Sequence, residues 1–223
     1  ERMEILMVVA IDGPAGVGKS SIAHMIAQKC NFYYLNSGSF YRAYTYLALR
    51  DGKDPMDFKG VLKTAQEHQL SIIDEHIHID GVDVEDKLHT YEVDKVVAQV
   101  SSYAPLRAYV NDQLRAISKG MDVIIEGRDI TTVVFPDADL KCYFDAKAEV
   151  RAKRRYEQHP DGPDYETVLR EIIKRDEIDR EKEVGSLQVA KDALYVDTSY
   201  LTMVQVCEKV LSAIFALKGE LNR

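Results

Sequence analysis

The chain has 223 residues, 46% of them hydrophobic, which is enough to fill one generous core and excludes disorder as the main state. Its formal net charge of -8 would repel a nucleic-acid backbone, so any polyphosphate partner has to be met by locally clustered arginines. No apolar run approaches membrane-spanning length, and the N-terminus lacks the basic flank and cleavage site of a secretory signal. Three widely spaced cysteines (Cys30, Cys142, Cys207) make neither a CxxC pair nor a disulfide framework, so a cytoplasmic protein without a membrane partner is expected.

In chain order, Ile5 to Ile11 is an unbroken apolar run closed by Asp12-Gly13, as suits a strand buried on both faces of a parallel sheet. Lys19 to Gln28 reads as a helix with Ile22/Ile26 and Ala23/Ala27 on one face. Further strand signals stand at Phe32 to Leu35, Val123 to Ile125, Leu140 to Phe144 and Ala193 to Val196. Helices are predicted from Asp54-Pro55, from Pro105 to about Lys119, and over Leu201 to Leu217. The alternation predicts an α/β fold, a parallel sheet flanked by helices. One stretch breaks it: Leu70 to Val84, "LSIIDEHIHIDGVDV", alternates in three short pieces with tight turns at Glu75-His76 and Asp80-Gly81, a small antiparallel three-strand insert. With no repeat and no Gly/Ser linker, the expectation is a single domain. Its core covers about 3–58 and 105–223, its insert about 59–100, and its helical lid about 151–166.

Gly13-Pro14-Ala15-Gly16-Val17-Gly18-Lys19-Ser20 satisfies G-x-x-x-x-G-K-[ST] between a strand and a helix. Its glycines let backbone N–H groups face phosphate oxygens, and the helix N-terminus adds its positive end. Lys19 is expected to reach the β- and γ-phosphates of ATP and Ser20 to ligate Mg²⁺. Arg128, directly after the strand at Val123, stands where ligands of open α/β sheets gather; the plainer reading is a salt bridge to Asp129. Arg107 lies in the first turn of its helix, where the dipole disfavours a cation, so something besides helix stability holds it there. Arg151, Lys153, Arg154 and Arg155 crowd beside the Pro/Gly stretch His159 to Pro163, as a closing lid requires, or form a solvated basic face. Arg175, Asp179 and Lys182 share a helical face, where the first two can also be a surface ion pair. The histidines show no metal-ligand spacing; His76 and His78 fit an exposed strand better than a site.

Taken together, "IDGPAGVGKSS", "YLNSGSFYRA", "EGRDITTVVFPDADLK", "RDEIDREKEVGSL" and the small insert resemble the bacterial cytidylate kinase family of P-loop nucleoside monophosphate kinases, from Met7 to about Leu217. The resemblance implies transfer of the γ-phosphate of ATP to CMP or dCMP by a monomer. Lys19, Arg128, Asp129 and Arg175 would be catalytic. ATP would be held by residues 13–20 with Ser21 and the lid arginines Arg154 and Arg155. CMP would be held by Ser37, Tyr41, Arg42, Arg107, Arg128, Asp129, Arg175, Asp179 and Lys182. Two positions depart from the family's pattern. Ala98 stands where a serine usually reads the nucleoside, a loss of about 0.5–1.5 kcal/mol for an ordinary hydrogen bond, with Ser101 and Ser102 as the candidates to compensate. Lys182 stands where an arginine is usual, a point charge in place of a planar fork. Val184 to Leu187, "VGSL", also lacks the usual proline. Competing readings are a kinase of UMP or another metabolite, a P-loop NTPase switch, and a nucleic-acid-binding protein. The insert, the arginine cluster and the acidic charge argue against them in turn.

Overall fold

The computed structural model describes residues 6–159 and 161–221. The elements run β1 (Val8–Asp12), α1 (Lys19–Cys30), β2 (Tyr33–Asn36), α2 (Ser37–Arg50), α3 (Phe58–Glu67), β3 (Leu70–Ile73), β4 (His76–Ile79), β5 (Val82–Asp83), α4 (Tyr91–Val100) and α5 (Ala104–Ile117). They continue with β6 (Val123–Gly127), β7 (Leu140–Asp145), α6 (Ala148–Gln158), α7 (Tyr165–Glu181), β8 (Leu194–Asp197) and α8 (Met203–Leu221). Ile5 in the first expected strand, Met3, Glu4, Asn222 and Arg223 of the expected core, and Pro160 in the expected lid lie outside the described residues. Among the described residues no helix is long and apolar enough to cross a membrane.

The chain divides into two compact units, residues 1–35 with 118–223, and residues 36–117. The first carries the parallel sheet, in the order β2-β6-β1-β7-β8. β1 lies between β6, with Val8 opposite Val123, and β7, with Val9 opposite Leu140. That central place explains why its residues are apolar on both faces. Val9, Ile11, Ile124, Cys142, Phe144 and Val196 form one core cluster with Ile22 and Ile26 of α1 and Val206, Val210 and Ile214 of α8, the last three at four-residue spacing. The first strand starts at Val8, later than expected, and the N–H groups at its start are met by side chains. Asp122 Oδ1 accepts from Met7 at 2.6 Å and Asp139 Oδ2 from Val8 at 2.7 Å. The last helix starts at Met203, not Leu201, because Thr202 and Gln205 close a reciprocal cap: Gln205 N–H donates to Thr202 Oγ1 at 3.2 Å, and Thr202 N–H to Gln205 Oε1 at 2.9 Å.

In the second unit, α2 packs against α3, α4, α5 and β4. Its Phe40, Tyr44 and Leu47 are fully buried, and the Tyr44 hydroxyl donates to Gln113 Oε1 at 2.6 Å. The expected insert is the centre of this unit, which extends to α2 and α5. β3, β4 and β5 form the antiparallel sheet, Leu70 opposite Ile79 and Ile79 opposite Val82. The first turn is Asp74-Glu75 rather than Glu75-His76, since His76 already pairs with Ile73. Both turn residues have positive φ, 50° and 66°, and so do Asp80 and Gly81, the twist that two-residue hairpins require. Asp54-Pro55 makes a turn instead of opening a helix: Asp54 takes the N–H of Met56 at 2.9 Å, and α3 begins later with Asp57 accepting from Gly60 N–H.

Candidate active site

β1 is flanked on one side by β6 and on the other by β7, so the chain leaving its carboxyl end enters the crevice where open α/β sheets bind ligands. That chain is the phosphate loop, Gly13 to Gly18, and α1 follows it at once. Gly13 is required by close approach, since a Cβ there would collide with the carbonyl oxygen of Phe144. Gly18 caps α1 at φ 93°, a conformation that favours glycine. Lys19 turns its ammonium back onto the loop, donating to Gly13 O and Pro14 O at 2.8 Å each. Burial, and then the Arg128 charge, bring its pKa down to about 7. The Ser20 hydroxyl donates to Glu126 Oε1 at 2.5 Å, and the Tyr34 hydroxyl donates to the same oxygen at 3.1 Å. Ser21 is exposed at the start of α1. Asp12, whose carboxyl burial pushes up to about 6, takes the N–H groups of Ile130 and Thr131 and the Thr131 hydroxyl, fixing the turn that follows β6.

Arg128 emerges at the end of β6 and pairs with Asp179 of α7, Nε to Oδ2 at 2.7 Å, so its ion pair is with a residue 51 positions away and not the one with Asp129 offered as the plainer reading. Asp129 is itself buried, and its carbonyl accepts the N–H groups of Val133 and Val134 in a π-helical turn. Lys182 Nζ reaches the other Asp179 oxygen, Oδ1, at 2.8 Å. Burial alone would raise the Asp179 carboxyl; Arg128 and Lys182 override it and hold the group well below the usual carboxylate range. Asp179 is therefore shared between two cations inside the protein, and the surface ion pair with Arg175 expected as one reading is not what holds it. Arg175 lies one turn earlier on α7 and is half-buried.

The basic cluster separates by depth. Arg151 is 2% exposed and holds Asp176 through two bonds, of 2.9 and 2.6 Å, so it is neither a solvated charge nor a loose lid residue. Arg154 donates to the carbonyl of Thr198 at 2.6 Å, Arg155 is half-buried, and Lys153 is exposed beside Glu157.

The remaining predicted residues lie in the second unit. Ser37 opens α2, where the Asn36 side chain accepts from Gly38 N–H at 2.9 Å. Arg42 donates to Leu88 O at 2.9 Å and pairs with Asp94 at 2.7 Å. Arg107 is 3% exposed, with its guanidinium 5.3 Å from the centre of the Tyr41 ring and a bond to Ser101 O of 2.7 Å. It thus answers the negative end of α4, which explains a cation in the first turn of α5. The Ser101 and Ser102 hydroxyls donate to Ala98 O and Gln99 O, at 2.8 and 2.6 Å. They cap the last turn of α4. Glu126 and Arg151 escaped the sequence reading as site residues. The only signal for Glu126 was its place at the end of a strand next to Arg128.

A phosphate loop between a central parallel strand and its helix, an arginine at the end of the adjacent strand and a helical pair bearing further arginines define a P-loop kinase. The family profile described as "Cytidylate kinase" matches residues 9–216. The cytidylate kinase of Borrelia duttonii is 40% identical over 95% of this chain and 99% of its own length, and that of Clostridioides difficile 38% identical over 93% and 98%. A solved structure of an uncharacterized protein from Eubacterium ventriosum, 11% identical, covers 93% of this chain and 98% of its own with a TM-score of 0.51, a likeness of fold alone. The chain belongs to the cytidylate kinase family.

Proposed function

We propose that this protein transfers the γ-phosphate of ATP to CMP or dCMP, giving ADP and CDP or dCDP, as a cytoplasmic monomer. The observation that carries this reading is the family match across residues 9–216, which takes in the phosphate loop, the Arg128 strand end and α7 alike. The chemistry asks for positioning and charge stabilisation more than for a protein base. Lys19 leaves the carbonyls of Gly13 and Pro14 for the transferring phosphate, whose negative charge restores the proton that burial has loosened. Main-chain N–H groups of residues 13–20, with Ser21, hold the ATP phosphates, and Arg154 and Arg155 approach from the lid. Ser37, Tyr41, Arg42 and Arg107 bind CMP. Arg128 and Arg175 meet its phosphate, Asp129 orients it, and Asp179, steadied by Lys182, keeps Arg128 in place and faces the ribose.

Magnesium ion fits the oxygen donors here. Ser20 Oγ would hold it with Glu126 close behind, and among the described residues no group of three His, Cys, Asp or Glu side chains offers a cage of its own. When bound with ATP it neutralises charge on the phosphates. The test is ADP release from Mg·ATP without an acceptor and with CMP, dCMP, UMP, AMP, GMP or shikimate, repeated with EDTA. Stimulation by CMP and dCMP far above the others, abolished by EDTA, is expected. An equal rate of ADP release without acceptor would mean that water is the acceptor and that the arginine groups have been misassigned.

A further inference from the structure

The proposed reaction gives Arg151 no task. Its guanidinium, at 2% exposure, spans three elements. Nε donates to Ala146 O after β7 at 2.9 Å, both terminal nitrogens hold the Asp176 carboxylate on α7, and Nη1 also reaches Ala15 O in the phosphate loop at 3.1 Å. One turn along α6, Arg154 donates to the carbonyl of Thr198 at 2.6 Å, and the buried Thr198 hydroxyl in turn donates to Val17 O at 3.3 Å. Two carbonyls of the loop, Ala15 and Val17, are thus drawn outward to α6 and the end of β8. Those of Gly13 and Pro14 face Lys19 instead.

Peptide groups are planar and trans, so a carbonyl held on one side directs the N–H of the next residue to the other. We propose that Arg151, seconded by Thr198, is a positioning residue that pre-orients the Gly16 and Gly18 N–H groups toward the phosphates of the nucleotide. It does so by holding the Ala15 and Val17 carbonyls away from them. The proposal rests on ATP occupying this loop. Glycine at 16 and 18, with φ of 79° and 93°, leaves those peptide planes free to rotate, so something outside the loop has to set them. An Arg fork can bind a carboxylate and two carbonyls at once; a lysine point charge cannot.

Three variants test it. Arg151→Lys keeps a charge opposite Asp176, Arg151→Met with Asp176→Met removes the buried pair together, and Thr198→Val removes one hydroxyl without changing shape. Each is assayed for KM of ATP, KM of CMP and kcat, and, without any nucleotide, for hydrogen exchange at the amides of residues 15–18. A rise of roughly five- to tenfold in KM for ATP is expected in each, with KM for CMP unchanged and faster exchange at Gly16 or Gly18. Loop exchange and KM for ATP equal to the parent's in Arg151→Lys and Thr198→Val would overturn the proposal. So would equal rises in both KM values. If the parent itself fails to phosphorylate CMP, the function reading fails while the nucleotide-free exchange still decides the role of Arg151.

Discussion

Lys19 is buried at the expense of stability. In the unfolded chain its amine keeps a proton up to about 10.5, whereas in the folded protein burial releases it at about 7. Between those values the unfolded state holds more protons, so the protein gains stability as pH rises through that window, and the full penalty applies below it. Lys19→Met should therefore be more stable than the parent at pH 7, on the order of 1–3 kcal/mol after the lost bonds to Gly13 and Pro14 are discounted. The difference should shrink as pH approaches 10, and ADP formation should fall by roughly 10²–10³-fold. Thermal unfolding across pH checks the first part; a variant that is less stable at pH 7 would refute it. At Lys182 the partner is Asp179 Oδ1, a carboxylate oxygen that a guanidinium also matches. Lys182→Arg should keep or improve kcat/KM for CMP, and a clear loss would show that lysine has a role of its own.

At the scale of the element, the antiparallel insert is organised by its turns. Glu75 adopts φ 66° in a two-residue hairpin turn, a conformation that costs a non-glycine residue about 1 kcal/mol. Glu75→Gly should raise the unfolding midpoint in urea by a corresponding amount; an unchanged or lower midpoint would mean that the glutamate side chain makes up the difference. On β4, His76 Nδ1 meets Asp83 Oδ2 on β5 at 2.8 Å, and the hydrogen bond to that carboxylate raises the imidazole above its ordinary 6.5. The clasp stabilises the hairpin fully below 6.5 and fades as pH rises through the folded value. An NMR titration should place His76 above 6.5 in the parent and back near it in Asp83→Asn. Equal midpoints in the two proteins would show that the clasp does not form in solution.

For the whole molecule, nucleotide binding and folding are linked. If ATP and magnesium bind the folded chain alone, a hundredfold excess over Kd should stabilise it by about 2.7 kcal/mol, seen as a rise in Tm that EDTA largely removes. CMP added alone should give its own smaller rise, and a Tm unmoved by both nucleotides would count against the substrate assignment. With a net charge of -8 the protein repels anions at long range, so an anionic nucleotide would have to be met by local cations such as Lys19 beside the phosphate loop.

Much of this was legible in the residues themselves. The apolar run before Asp12, the glycines and lysine after it, the four-residue spacing of the helices and the alternation at 70–84 are short-range signals, governed by backbone period and turn chemistry, and their elements formed to within a few residues. Boundaries slipped where a side chain made a local bond that no pattern announces, as Asp122 does before β1, Thr202 before α8 and Asp54 before α3. What the tertiary structure alone decided is which groups meet. Asp179 could have paired with Arg175 four residues away but lies between Arg128 and Lys182. Arg151 could be read as one charge of a lid or of a basic surface, and it is buried against Asp176 and the phosphate loop. Ser101 and Ser102, candidates for a nucleoside contact, spend their protons on their own helix. Period and turn type depend on residues a few positions apart and can be read along the chain. The partner of a charge depends on which strand end and helix face the fold brings within 3 Å, and sequence distance carries no information about that.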